Sequence, residues 1–288
     1  MSVLVTGASG QVGSALVARG GRAIIALNRH DLDLAVPQSI AAAIERVKPS
    51  LVINAAAYTA VDRAESEPDA AQRANADGPA LLAAACARND IPLIHMSTDY
   101  VFAGDKTGAY LETDPIGPAS VYGRTKAEGE RRVLEAQPQS VILRTAWVYS
   151  AQGTNFVRTM LRLARTRDRI GVVDDQVGSP TFAGDLADAI LAIGRRLQQD
   201  RGDALFGIFH ATGADACSWR QFAEAVFAGS ASRGGPSALV DPIPTSAYPT
   251  PARRPANSQL HGAKLQAMYG VALPQWRDGL SDCLDEIA

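Results

Sequence analysis

Through the first half of the chain, short β-branched and aliphatic runs alternate with longer alanine-rich stretches of helical character. The pattern predicts strands at Ser2–Thr6, Ala23–Leu27, Leu51–Asn54, Leu93–Ser97 and Val141–Arg144. Between them it predicts helices over Gln11–Arg19, Pro37–Val47, Pro68–Arg88 and Val121–Ala136. Two of these helices open on proline, whose missing N–H costs nothing in a first turn. Strands separated by helices are βαβ units, and a succession of them builds a parallel sheet covered on both faces. Beyond Thr145 the alternation loosens into loops such as Asp174–Thr181 and a proline-rich stretch, Pro236–Pro255, with helices near Phe182–Gln199 and Ser218–Phe227. The expectation is an α/β chain with a doubly wound parallel sheet over residues 1–148 and the helix at 182–199 packed back on it. Residues 149–181 and 204–288 would mainly form a smaller C-terminal lobe.

Composition agrees with that picture and removes several function classes. The 288 residues suffice for one large core with a small lobe, and 47% apolar against 20% charged residues describes a globule, neither disordered nor fibrous. Basic and acidic residues nearly cancel, 28 against 30, and no basic run is present to neutralise a polymer of phosphates, so nucleic acid is not an expected partner. Cys86, Cys217 and Cys283 are odd in number and far apart, which argues against a disulfide framework or a paired-cysteine zinc site. The first residues lack a basic segment followed by an apolar core, and no run of about 18 apolar residues occurs. A cytoplasmic protein without membrane contact is the expectation.

The first candidate chemistry follows the first strand. Gly7, Gly10 and Gly13 form a G-x-x-G-x-x-G turn between a strand and a helix, the context in which backbone N–H groups and a helix dipole hold a pyrophosphate. About twenty residues on, where such a fold meets the adenosine ribose, stand Asn28 and Arg29, with no carboxylate at the strand end. An acidic residue there would bond the 2′-hydroxyl of NAD, whereas a guanidinium grips a 2′-phosphate. NADPH is therefore the expected cofactor, with NADH kept open because Asp31 and Asp33 lie close by.

A second constellation supplies the reaction. Tyr122 and Lys126 are one helical turn apart, so phenol and ammonium share a face, and the cation is expected to draw the tyrosine's ionisation toward neutrality. Thr98 ends the fourth strand, on the carboxyl edge where such sheets bind ligands, and its hydroxyl would polarise a carbonyl that Tyr122 protonates. Capping of the strand end is the alternative role for Thr98. In the late segment, Arg254, flanked by Pro251 and Pro255, offers a guanidinium fork for a diphosphate; for its neighbour Arg253 a solvated position is the alternative.

Together the glycine turn, Asn54–Thr59, Ser97–Phe102 and Tyr122–Lys126 resemble the extended short-chain dehydrogenase/reductases, a Rossmann-type family. Within it the blocks Ala60–Pro68, Arg144–Tyr149, Asp175–Thr181 and Pro244–Pro251 resemble the dTDP-4-dehydrorhamnose reductases. The resemblance implies NADPH-dependent reduction of the 4-keto group of dTDP-4-dehydro-β-L-rhamnose, the last step toward dTDP-L-rhamnose for cell-surface polysaccharide. It implies cofactor contacts at Gly10, Gln11, Val12, Asn28, Asp33, Leu34, Ala56, Ala57, Thr59, Tyr122 and Lys126, and dTDP-sugar contacts at Thr98, Asp99 and Trp147. Some members are magnesium-linked dimers that use glutamates where this chain has Ala15 and Gly184, so no metal site and a monomer or weak homodimer are expected.

Two rival functions share these motifs. A 4,6-dehydratase would need an Asp–Glu pair after the threonine, and Tyr100 stands in place of the Glu; an epimerase would retain NAD, against Asn28 and Arg29. A regulatory NADP-binding subunit of a synthetase, also similar to this family, would have no need of the Thr98, Tyr122 and Lys126 set.

Overall fold

The computed structural model describes residues 2–288. Strands β1 (Val3–Thr6), β2 (Ile24–Leu27), β3 (Leu51–Asn54), β4 (Leu93–Thr98) and β5 (Ser140–Thr145) lie where the apolar runs predict them. A sixth, β6 (Gly207–His210), comes from the segment expected to belong mainly to the lobe and pairs parallel with β5, because Phe209 inserts into the core between the sheet and its helices. The order is β6-β5-β4-β3-β1-β2, every pairing parallel. The order reverses between β1 and β3, and such switch points open a crevice at the carboxyl ends of the strands.

Both faces are covered, which explains why the strands read as nearly unbroken apolar runs. Val3 and Val5 of β1 face a core shared with helix α1 (Gln11–Gly20), while Leu4 between them faces helix α2 (Pro37–Val47) and the long helix α3 (residues 68–88). Helix α3 runs through Pro68–Gln72, a π-helical turn at Arg73–Asp77 and Gly78–Arg88. The sequence pattern predicts this helix as one piece; the structure has a wide turn inside it. Helix α4 (Val121–Ala136) packs beside α3, and α5 (Ala183–Gln199) lies against α1 on the opposite face.

A separate apolar core joins Tyr149, Val157, Ile170, Phe222, Trp276 and Leu280. Around it stand helices Phe156–Ala164, Trp219–Ala231 and Trp276–Ile287 and the paired strands Arg169–Val173 and Leu239–Ile243. The loop region around Asp174–Thr181 contains two short strands, Val177–Gly178 and Thr181–Phe182, and the proline-rich stretch contains Leu239–Ile243. No described helix is long and apolar enough to cross a membrane.

Candidate active site

The switch point opens into a cleft of about 1010 Å³ lined by the glycine turn, the exits of β3, β4 and β5, and the start of α4. Its dinucleotide wall is fixed by close backbone approach. Gly7 has a φ of +69°, and a Cβ there would fall 2.5 Å from the Ala56 nitrogen, so only glycine lets the β1 and β3 exits touch. Asn54 holds that approach from below: its Oδ1 accepts from the Thr6 hydroxyl at 2.6 Å and from the Ala56 N–H at 3.1 Å. Gly10 caps α1 without a side-chain acceptor, and no acidic residue occupies the first turn, so its N–H groups remain free for an anion.

Most of the residues singled out in the sequence converge on this cleft. Gly7, Gly10, Gln11 and Val12 line one side, with Ala56, Ala57 and Thr59 above β3 and Arg29, Asp33 and Leu34 beyond β2. Arg29 stands 3.6 Å from Asp33 and is otherwise solvated. Asn28 lies outside the lining and shapes the turn instead, its Oδ1 accepting from the His30 N–H at 2.8 Å. Gly13 is packed on the Gly7 carbonyl, away from the lining. This cradle, a free helix N-terminus beside a glycine turn with Lys126 across the cleft, fits a nicotinamide dinucleotide.

The catalytic wall is built by bringing α4 onto the turn after β4. Ser120 caps α4 by accepting from Gly123 N–H at 3.1 Å, and Glu65 accepts from Val121 N–H at 2.8 Å. Gly123 lets the helix close in, since a Cβ there would meet the Tyr100 carbonyl at 2.2 Å. Thr98, Asp99, Tyr122 and Lys126 thereby share one wall. The Thr98 hydroxyl donates to Asp99 Oδ1 at 3.0 Å and accepts from Tyr100 N–H at 3.3 Å, so it caps the turn as well as facing the cleft.

Electrostatics alter one expectation. Burial pushes the Tyr122 phenol well above its ordinary pKa, with the Thr98 hydroxyl partly offsetting the rise and Asp99 adding to it. Lys126 does not draw it down: its ammonium donates to the Met96 carbonyl at 2.7 Å, and burial lowers its own pKa to about 8. Tyr122 is thus held protonated, the state a proton donor needs. Asp99 is fully buried and raised to about 6 by desolvation, with Ser258 and Thr98 pulling the other way, and its Oδ2 has no protein partner.

Several contacts carry no sequence signal. Gln11 reaches the lobe, its Oε1 accepting from Ser150 Oγ and Asn155 Nδ2, each at 2.9 Å. Asn75, inside the π-helical turn, accepts from Tyr58 N–H at 2.8 Å and donates to the Tyr58 carbonyl and to Thr125, each at 3.1 Å. Beneath the catalytic wall, Glu130 takes a bidentate pair from Arg144, at 2.9 and 2.7 Å, and a bond from Ser97 at 2.5 Å.

The substrate side shows two departures from a simple contact list. Trp147 lines the cleft in a left-handed conformation, φ +49°, with its indole stacked 3.4 Å from Trp219. Arg254 stands beside the cleft, donating to Asp62 at 2.6 Å and to Tyr100 Oη at 3.3 Å. At Gly184 a Cβ would lie 2.4 Å from the Arg19 guanidinium, so that position has no room for a metal-binding side chain unless Arg19 moves. No cluster of three or more His, Cys, Asp or Glu side chains suited to a metal occurs among the described residues.

Comparison with known proteins places this site. The model of the RmlD substrate binding domain matches residues 1–288. The chain is 48% identical to a dTDP-4-dehydrorhamnose reductase of Sinorhizobium fredii over 96% of this chain and 95% of that one. It is similar to the crystal structure of a Clostridium acetobutylicum dTDP-4-dehydrorhamnose reductase, with 37% identity, TM-score 0.91 and 99% of each chain covered. A Bacillus anthracis dTDP-4-dehydrorhamnose reductase in complex with NADP gives 34% identity and TM-score 0.91 over 99% of this chain and 100% of that one. The chain belongs to the dTDP-4-dehydrorhamnose reductase family.

Proposed function

We propose that the chain reduces the 4-keto group of dTDP-4-dehydro-β-L-rhamnose with NADPH, giving dTDP-β-L-rhamnose, the last step of dTDP-L-rhamnose synthesis. The observation that carries this is the meeting of Thr98, Tyr122 and Lys126 on one wall of a cleft whose opposite wall is the glycine turn. Bound NADPH supplies the hydride that adds to C4. Thr98 turns its O–H from Asp99 to the ketone oxygen and stabilises the charge that develops there. Tyr122 gives its phenolic proton to that oxygen, so the carbonyl becomes an alcohol and a phenolate remains. Lys126, an ammonium below about pH 8, donates to the nicotinamide ribose, and solvent returns the proton to the phenolate.

Asp99 Oδ2, buried and without a protein partner, accepts from a sugar hydroxyl, and Trp147 walls the sugar. Arg254 reaches the diphosphate from its place beside Tyr100, exchanging Asp62 for the ligand. Arg29 meets the ribose 2′-phosphate from the turn that Asn28 shapes, and the remaining cofactor contacts are those of the glycine turn and the β3 exit. We place the enzyme in the cytoplasm, as a monomer or weak homodimer.

The test is NADPH oxidation, followed by absorbance, with enzymatically prepared dTDP-4-dehydrorhamnose, run beside NADH and a 4-keto sugar of opposite C5 configuration. Rapid oxidation selective for the L-sugar is expected. Binding of both ligands without oxidation would reject this reading in favour of a regulatory NADP-binding subunit or an epimerase with retained cofactor.

A further inference from the structure

The cleft wall beyond β2 carries a cation that the reaction does not use. Arg73 opens the π-helical turn of α3 and lines the cleft together with Ala70 and Ala74. Among the described residues its side chain has no hydrogen bond and no ion pair, although Asp69 and Asp77 lie four residues to either side. Asp77 is taken by Arg132. The other cations on the lining are engaged: Arg63 with Glu67 at 2.7 Å, Lys126 with the Met96 carbonyl at 2.7 Å, and Arg29 loosely with Asp33 at 3.6 Å.

Arg73 stands at the edge of an apolar shelf. Leu34 presses on α3 where a Cβ at Gly78 would come within 2.8 Å of the Leu34 Cβ, and Ala35, Ala70 and Ala74 add further apolar lining to the cleft. This end of the cleft lies past β2, where the fold brings the adenosine ribose, so a shelf without polar side chains beside it suits the base. A planar guanidinium with no partner of its own stacks on an aromatic ring, which an ammonium does less well.

We propose that Arg73 caps the adenine of the dinucleotide, holding the base against Leu34 and Ala74 by stacking, while Arg29 is left to the 2′-phosphate. This rests on the dinucleotide reading of the cleft. Calorimetric titration of the full chain with 5′-AMP and with 2′,5′-ADP separates the possibilities, because only the second carries the extra phosphate. Arg73→Ala weakens both nucleotides by a similar factor, about five-fold, and Arg73→Lys fails to restore them. Arg29→Ala weakens only 2′,5′-ADP. Unchanged affinity of Arg73→Ala for both nucleotides overturns the proposal. A loss confined to 2′,5′-ADP, or rescue by Arg73→Lys, also overturns it by assigning Arg73 to charge. If the unmodified chain binds neither nucleotide, the dinucleotide reading itself falls, an outcome distinct from these.

Discussion

Tyr122 is the residue on which the chemistry depends, and its environment sets the direction it favours. Because burial keeps the phenol protonated, Tyr122→Phe removes the proton while leaving the dinucleotide cradle intact. Turnover is expected to fall by at least about 100-fold, with NADPH affinity within a few-fold of the parent; single-turnover kinetics and a cofactor titration measure both. Two neighbours give the reaction its pH limits. Lys126 must be an ammonium, and its pKa of about 8 predicts that kcat/KM declines as pH rises through that value. Asp99 must be a carboxylate to accept from the sugar, and its pKa of about 6 predicts a decline as pH falls through it. The stability terms run oppositely. An unfolded lysine holds its proton to higher pH than folded Lys126, so between about 8 and 10.5 the Lys126 contribution to stability rises with pH. Folded Asp99 holds its proton to higher pH than the unfolded residue, so its contribution falls as pH rises from 3.8 to about 6. A bell-shaped kcat/KM profile whose acid limb vanishes in Asp99→Asn is the expected result, and an unaltered acid limb would reject the assignment.

At the scale of elements, α4 shows what sequence spacing conveys and what it omits. The four-residue interval between Tyr122 and Lys126 places both on one face, and that much was legible in the sequence. Their mutual distance from water was not, because it depends on how closely α4 settles on the turn after β4, a tertiary contact with no periodicity. The same limit applies to Glu130, which is 3% exposed and joined to Arg144 and Ser97 under the catalytic wall. Glu130→Ala leaves a guanidinium that is 2% exposed without its carboxylate, a loss of about 3–5 kcal/mol. A melting temperature lower by roughly 5–15 °C is expected by calorimetry, with a smaller fall for the apolar double replacement of Glu130 and Arg144. The π-helical turn in α3 is likewise invisible to periodicity: Asn75 makes its three bonds to Tyr58 and Thr125 from within it, tying the β3 exit to α4.

Across the whole molecule, Gln11 links the two apolar cores. It belongs to the glycine turn, where sequence motifs place it, but its side chain contacts Ser150 and Asn155, positions 139 and 144 residues away that no local pattern joins to it. Asn155 also caps helix Phe156–Ala164 by accepting from Arg158 N–H at 3.1 Å, so the contact anchors the start of that helix to the first turn of α1. Loop residues Gly153 and Thr154 line the cleft between these anchor points. A neutral hydrogen bond contributes about 1 kcal/mol, so losing the two 2.9 Å bonds in Gln11→Ala should let Ser150–Asn155 open roughly ten- to thirty-fold more often. Hydrogen exchange of that loop measures it directly, and a higher KM for NADPH should accompany it. Gln11→Glu provides the contrast. It retains an acceptor for Ser150 and Asn155 while losing the amide's 3.4 Å bond to the Val148 carbonyl, so loop protection should fall less than in Gln11→Ala, but it sets a negative charge beside the N–H groups offered to the diphosphate. Weaker NADPH binding with a protected loop would show that Gln11 serves two separable tasks, whereas equal loop exposure in both variants would mean that the contact depends on the amide itself.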